Sequence, residues 1–254
     1  MSDYSASNDG ESLPAPVKPP RKAAKSKAWH KQAEASRREP FNPLDLENLG
    51  RSMEAELLTR KPEPLADIPP VYGSGIYALY YCGPNPLYQE ISQPECLSPI
   101  YVGQARPEGV RKGAKTKGPG VKLWDRLFLH RRSIEQVHDL DVADFKVRYL
   151  VSIEAFVSLA ERVMISHYRP VWNSVVDGFG NNDPGANRRK TGARPPWDEL
   201  HPGRWWSHPQ NMPTPSNTPA NVSRARVRAL LEDKLTDSEL EAIAEEFDSQ
   251  DESE

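Results

Sequence analysis

Cysteine is almost absent from this chain of 254 residues: Cys82 and Cys96 are its only two. That excludes a disulfide framework, and neither thiol has Cys or His partners spaced for a zinc site. With no secretory signal the pair reads as two reduced thiols. No apolar run approaches the roughly 18 residues that a membrane-spanning helix requires. The N-terminal residues carry Asp3, Asp9 and Glu11 and no apolar segment of the kind that heads a signal peptide. A cytoplasmic location with no membrane partner is therefore expected. Apolar residues are scarce as well, at 37%, while prolines number 25, so much of the chain lies outside a packed core. One ordinary domain with long tails fits better than two domains.

The formal net charge of −3 conceals a segregation of charge. Residues 232–254 hold 11 acidic side chains and one basic one, Lys234; without them the 33 basic and 36 acidic residues become 32 against 25, a net of +7. A body that attracts polyanions and carries an acidic tail is one account of that distribution. A solvated surface with a disordered tail is the other. Composition divides the chain into a disordered basic tail at 1–40, a helical extension at 41–70, a core at 71–206 and a helical, acidic C-terminal extension at 207–254. In the extension, Leu46, Leu49 and Met53 recur at helical spacing. It is expected to pack on the domain or on a second subunit.

Within the core, S-G-I-Y-A-L-Y-Y-C (74–82) and P-I-Y-V-G-Q (99–104) are aromatic and β-branched runs bounded by Gly and Pro, which is how strands read. A third strand is expected at 145–153. Helices are expected at 122–137 and at 154–169, the second ending at Pro170 because proline cannot continue a helix. The fold class is thus α/β (α+β), a small core with a three-stranded sheet flanked by helices. Further on, 175–219 is rich in Gly, Pro and Asn yet carries Phe179, Trp197, Trp205 and Trp206. It is expected to be an ordered, irregular wrap or a DNA-contacting element. Two short helices follow at 221–235 and 236–247.

The residues able to do chemistry fall in this core. Tyr77 and Tyr101 lie in neighbouring strands, so their phenols can share one surface. Arg126 and His130 are four apart on one helix and share a face. Arg126 can fork onto a phosphate, and His130 can hydrogen-bond Tyr77 or exchange a proton with it. Glu161 sits in an apolar helix, and Asn173 follows it twelve residues later. The basic side chains Arg106, Arg111, Lys112, Lys115, Lys117 and Lys122, interleaved with glycines, suit phosphate tracking. Arg188, Arg189, Lys190 and Arg194 form a second candidate of that kind.

The ordered set Gly75-Ile76-Tyr77, Tyr101-Val102-Gly103, Arg126, His130, Glu161 and Asn173 resembles the GIY-YIG nuclease superfamily, with Val102 where the name has Ile. The resemblance covers about 100 residues, from 75 to 173. It implies that Tyr77 is the general base, that Tyr101 positions the water or phosphate, and that Arg126 and His130 assist. It further implies that Glu161 holds one divalent cation, Mg²⁺, and that Asn173 orients the site. The arrangement with long decorations looks most like the type II restriction endonuclease branch. That implies a homodimer cutting both strands of double-stranded DNA at a short palindrome, GC-rich and six bases long in close relatives. The alternatives are a structure-specific or mobile-element nuclease of the same superfamily, and a DNA-binding module without activity.

Overall fold

Every strand of the central sheet is antiparallel to its neighbours, and the sequence shows why the middle strand holds it together. The computed structural model describes residue 42 and residues 44–106 and 120–252. The 1–40 tail and the calls on Arg111, Lys112, Lys115 and Lys117 lie outside these. The described elements run α1 (Leu46–Leu58), β1 (Glu63–Pro64), β2 (Gly75–Tyr81), β3 (Tyr101–Ala105), α2 (Lys122–Gln136), β4 (Phe145–Val151) and α3 (Glu154–Tyr168). After these come α4 (Val171–Ser174), α5 (Ala186–Thr191), α6 (Pro196–Leu200), α7 (Ala220–Leu231) and α8 (Asp237–Glu252), with short 3₁₀ turns between several of them.

The strand order is β1-β4-β2-β3. The expected three-stranded sheet is therefore corrected to four. The strand missed by the sequence reading is two residues long and ends on Pro64, which has no N–H for a ladder, so periodicity could not show it. It pairs only as an edge, Glu63 opposite Val147. Strand β2 is buried along its whole length, as a run of G-I-Y-A-L-Y-Y with no charge permits.

Alternation along β2 divides the core in two. Tyr77, Leu79 and Tyr81 point to a layer containing Leu123, Leu127 and Ile134 of α2. Ile76, Ala78 and Tyr80 point to the other face, where Val157, Ala160 and Met164 of α3 and Leu57 of α1 close over them. α3 ends as expected: Arg169 adopts a left-handed φ of 45° and Pro170 follows. α1 lies against α3, its buried residues being Gly50, Glu54 and Leu57, while Leu46 is 64% exposed. The apolar faces at the C-terminal end are covered by the chain itself. Val227 of α7 and Ile243 of α8 both join the α2 layer.

The segment rich in Gly, Pro and aromatics is ordered around a buried cation. Arg204 is 1% exposed and pairs with Asp198, which is 4% exposed. Its guanidinium donates to the carbonyls of Gly178 (2.9 Å), Asn181 (3.2 Å) and Phe179 (3.3 Å) and lies 4.6 Å from the rings of both Trp197 and Trp206. Ser207 donates to the same Asp198 carboxylate at 2.6 Å. A buried charge removed from such a pair leaves its partner uncompensated. Arg204→Ala or Asp198→Ala should therefore lower stability by roughly 3–5 kcal/mol, read from denaturant midpoints. An Arg204→Met, Asp198→Leu double variant should lose less than either single change; equal additivity of the two losses would refute the coupling.

Candidate active site

The β2–β3 register brings the two tyrosines together. Tyr77 stands opposite Gly103 and Leu79 opposite Tyr101, so both phenols rise from the same face, diagonal neighbours with ring centroids 6.3 Å apart. Gly103 makes this possible. A Cβ there would collide with the Tyr77 hydroxyl and come within 2.9 Å of the Tyr101 ring. α2 crosses the same face and sets His130 against Tyr77, with Tyr77 Oη and His130 Nε2 2.6 Å apart. Phe179 stacks on the His130 ring at 4.6 Å and 15°, and Tyr101 meets it edge-on at 5.2 Å. One turn earlier, the Arg126 guanidinium faces both phenols and donates to the Gly180 carbonyl at 2.9 Å.

Asn173 sits at the far edge of β3. Its Oδ1 accepts from Val102 N at 2.8 Å and its Nδ2 donates to Val102 O at 2.9 Å, while Trp172 N donates to Ile100 O at 3.0 Å. One side-chain amide thus satisfies the polar groups that an edge strand leaves open, and it locks the strand that carries Tyr101. Glu161 arrives from α3, on the opposite face of the sheet. It still acts on Tyr77 and Tyr101 and feels Arg126 and Arg106, so its charge belongs to the cluster. The structure therefore gathers Tyr77, Tyr101, Arg126, His130 and Glu161 into one cluster, with Asn173 bracing the strand beside it.

The candidate DNA-contacting residues fall in different settings. Arg188 and Lys190 of α5 are exposed. Arg189 pairs with Asp183 at 2.6 Å. Arg194 is occupied within the protein by Glu199 and the carbonyls of Met212 and Pro213. Arg106 donates to Gln104 at 2.7 Å, close to Glu161, and Lys122 opens α2. Three participants escaped the sequence reading: Phe179, Gly180 and Arg204. Only the density of aromatics in 175–219 hinted at them.

Burial sets the protonation of the cluster. The Tyr77 phenol is pushed well above its usual range by desolvation and by the neighbouring Tyr101, with Arg126 opposing. His130 is held well below the usual imidazole value, first by burial and then by Arg126 and Arg204. At neutral pH the pair is thus a phenol and a neutral imidazole. Burial also lifts Glu161 to about 7, with Arg106 and Arg126 countering only in part. Among the described residues its carboxylate has no hydrogen bond or ion pair within reach. Nor do these residues include a cluster of three or more His, Cys, Asp or Glu side chains able to hold a metal ion. A half-buried carboxylate with no partner among the described residues fits a hard divalent cation whose remaining ligands are water and phosphate oxygens.

The raised Glu161 pKa has a consequence for stability. The folded state holds the proton more tightly than an ordinary carboxylate with a value of 4.5, so stability falls as pH rises from 4.5 to about 7. Above that the deficit is complete, at most about 3.5 kcal/mol at ~1.4 kcal/mol per pH unit. In metal-free buffer Glu161→Gln should therefore melt above wild type at about pH 8 and level with it near pH 4. A pH-independent difference in Tm would contradict the assignment.

Comparison with known proteins agrees with this geometry. Among individually curated proteins none matches the chain. The profile of the Eco29kI GIY-YIG domain, a GIY-YIG family of type II restriction endonucleases, matches residues 69–230. That span holds three of the four strands (β2, β3 and β4), the helices α2 to α6, α7 but for its last residue, and every member of the cluster. The match covers more than half of the sequence, and the chain belongs to the Eco29kI GIY-YIG domain family of nucleases.

Proposed function

We propose that the protein is a type II restriction endonuclease that hydrolyses both strands of double-stranded DNA at a short palindrome, with one Mg²⁺ per active site. The observation that carries this reading is the convergence of two phenols, a guanidinium, an imidazole and a carboxylate with no partner among the described residues into one cluster beside the edge strand β3. An inactive DNA-binding module would have no use for a carboxylate kept desolvated with no partner among the described residues. The GC-rich six-base site of close relatives is carried as part of the reading and rests on resemblance alone.

The roles follow from the surroundings of each group. Arg126, held by Gly180 O, is aimed to fork onto the scissile phosphate and to stabilise the charge that builds up as the attacking oxygen adds. Tyr77 takes the proton of the attacking water. His130, neutral and 2.6 Å away, orients the phenol and accepts its proton. Tyr101 positions water or phosphate. Glu161 would hold the cation, which supplies Lewis-acid stabilisation of the phosphate and favours ionised oxygen ligands. Arg188, Lys190 and the basic residues from Arg106 to Lys122 would add salt-dependent affinity for the backbone.

Tyr77→Phe and Glu161→Gln each remove one function with little change of shape. On plasmid DNA with Mg²⁺ both should cut at least roughly 10³-fold more slowly than wild type, while gel-shift affinity for the cut fragment persists. Near-wild-type cleavage by either variant rules out its assigned role. Wild-type digestion itself separates the rival readings. Discrete fragments mark a restriction enzyme, cutting of branched DNA alone marks a structure-specific nuclease, and no cutting marks a binding module.

One cluster of this kind cuts one strand, and a palindrome presents two equivalent phosphates related by a two-fold axis. A C₂ homodimer meets that symmetry with one site per strand. Two flanking segments with apolar faces, 44–58 and 221–247, are candidates for its interface. Val227 and Ile243 use part of the second inside the subunit, which favours the exposed Leu46 side of α1. Sedimentation with a duplex that the enzyme cuts should give two chains per duplex. One chain per duplex with concerted double-strand cutting would overturn the dimer.

A further inference from the structure

Beside the cluster runs a groove of about 310 Å³ between the second half of α2 and the 179–183 segment. Arg126, His130, Arg132, Asn181, Asn182 and Trp205 line it. Its outer wall is the indole of Trp205, which is 52% exposed although Arg204 and Trp206 on either side are buried. The exposure is not slack. The backbone N–H of Trp205 donates to Gln136 Oε1 at 3.2 Å, and its carbonyl accepts from Asn211 Nδ2 at 2.7 Å. The Arg189 guanidinium lies 4.8 Å from the indole centroid and is itself fixed by Asp183. A large aromatic surface is thus held rigidly in solvent, where it contributes little to the core.

The charge of the groove points to its occupant. Asp183, the acidic residue on its wall, is neutralised by Arg189. Arg126 remains at the catalytic end, and Arg132 is exposed and in no ion pair among the described residues. The exposed amides of Asn181 and Asn182 add donors and acceptors between them. A flat π-surface, cations and amides in a slot continuous with a phosphate-binding arginine match a nucleotide unit. Its phosphate meets the cations and its base stacks on the indole.

We infer that this groove receives the nucleotide flanking the scissile phosphate, and that its base leaves the duplex stack to pack on Trp205. The inference rests on the nuclease reading and adds to it a residue that distorts the DNA where it is cut. Unstacking a base costs a few kcal/mol in DNA, and a preformed aromatic platform offsets that cost. Trp205 therefore matters more once the DNA is deformed for cleavage than in the first encounter.

The test uses the full chain and plasmid DNA. With Mg²⁺, Trp205→Ala should reduce single-turnover cleavage by about 5- to 150-fold, the range for removal of one base-stacking aromatic. Trp205→Phe, which keeps a platform, should stay within about fivefold of wild type on the same reasoning. Tm should be unchanged in both. In protein labelled with 5-fluorotryptophan, the ¹⁹F resonance lost in Trp205→Phe should shift when a cleavable duplex is added without metal. Wild-type cutting with an undiminished rate in Trp205→Ala, or with a Trp205 resonance indifferent to DNA, overturns the groove and leaves the nuclease reading standing. A wild-type chain that leaves plasmid intact overturns both.

Discussion

A single buried guanidinium fixes the half of the active site that does not come from the sheet. Arg204 has five N–H donors in a plane, and the protein surrounds that plane with the Asp198 carboxylate, three carbonyls of one loop and two indole faces. Those carbonyls belong to Gly178, Phe179 and Asn181; Phe179 stacks on His130, and Gly180 in the same loop accepts from Arg126. A stretch with too few apolar residues to condense by itself is thereby made rigid through polar contacts. Lysine could not substitute, because one point charge cannot reach carbonyls on several sides of a plane. The same cation also helps to keep His130 neutral from a distance.

The other half of the site is an exercise in closing an edge strand without adding another strand. β3 ends the sheet, and its outward polar groups at Val102 are taken by the amide of Asn173, one donor and one acceptor against one of each. A side chain rather than a neighbouring strand performs this task. Glu161 acts on both phenols although it belongs to the helix that covers the other face. Gly103 and Gly180 keep the volume between the two layers clear. A Cβ at Gly180 would stand 2.9 Å from Tyr101 Oη and 3.0 Å from Arg126 Nη2.

Much of this was legible in the chain, and the exceptions have physical causes. β2, β3, β4, α2 and α3 announce themselves through apolar periodicity and Gly/Pro boundaries, and they carry Tyr77, Tyr101, Arg126, His130 and Glu161. β1 has two residues and no period to detect. The buried line of α1 runs through Gly50, Glu54 and Leu57 rather than through Leu46, because α3 approaches closely at glycine and Glu54 finds His167 at 2.7 Å. No hydrophobicity pattern reveals such a face. Arg194 looks like a surface cation in sequence and is an internal brace in space. Arg204 and Asp198 are six residues apart in a segment without periodicity, so only the fold shows that they are partners.

The electrostatic state of the cluster suggests how an enzyme of this kind avoids idle chemistry. Left alone, Tyr77 keeps its proton, His130 stays neutral, and Glu161 sits near the middle of its titration at neutral pH. None of these groups is a strong base in that state, and Arg126 alone does not ionise the phenol. Each shift has desolvation of a charge-bearing form as its largest cause; added positive charge near the carboxylate would reverse those of Glu161 and Tyr77 and deepen that of His130. On the proposed reading, binding of a cation together with a phosphate would complete the ligand shell of Glu161 and favour the phenolate at the same moment. Activity would then be coupled to the presence of DNA through burial itself. The desolvation that lowers the stability of the resting protein is what leaves its site responsive to substrate.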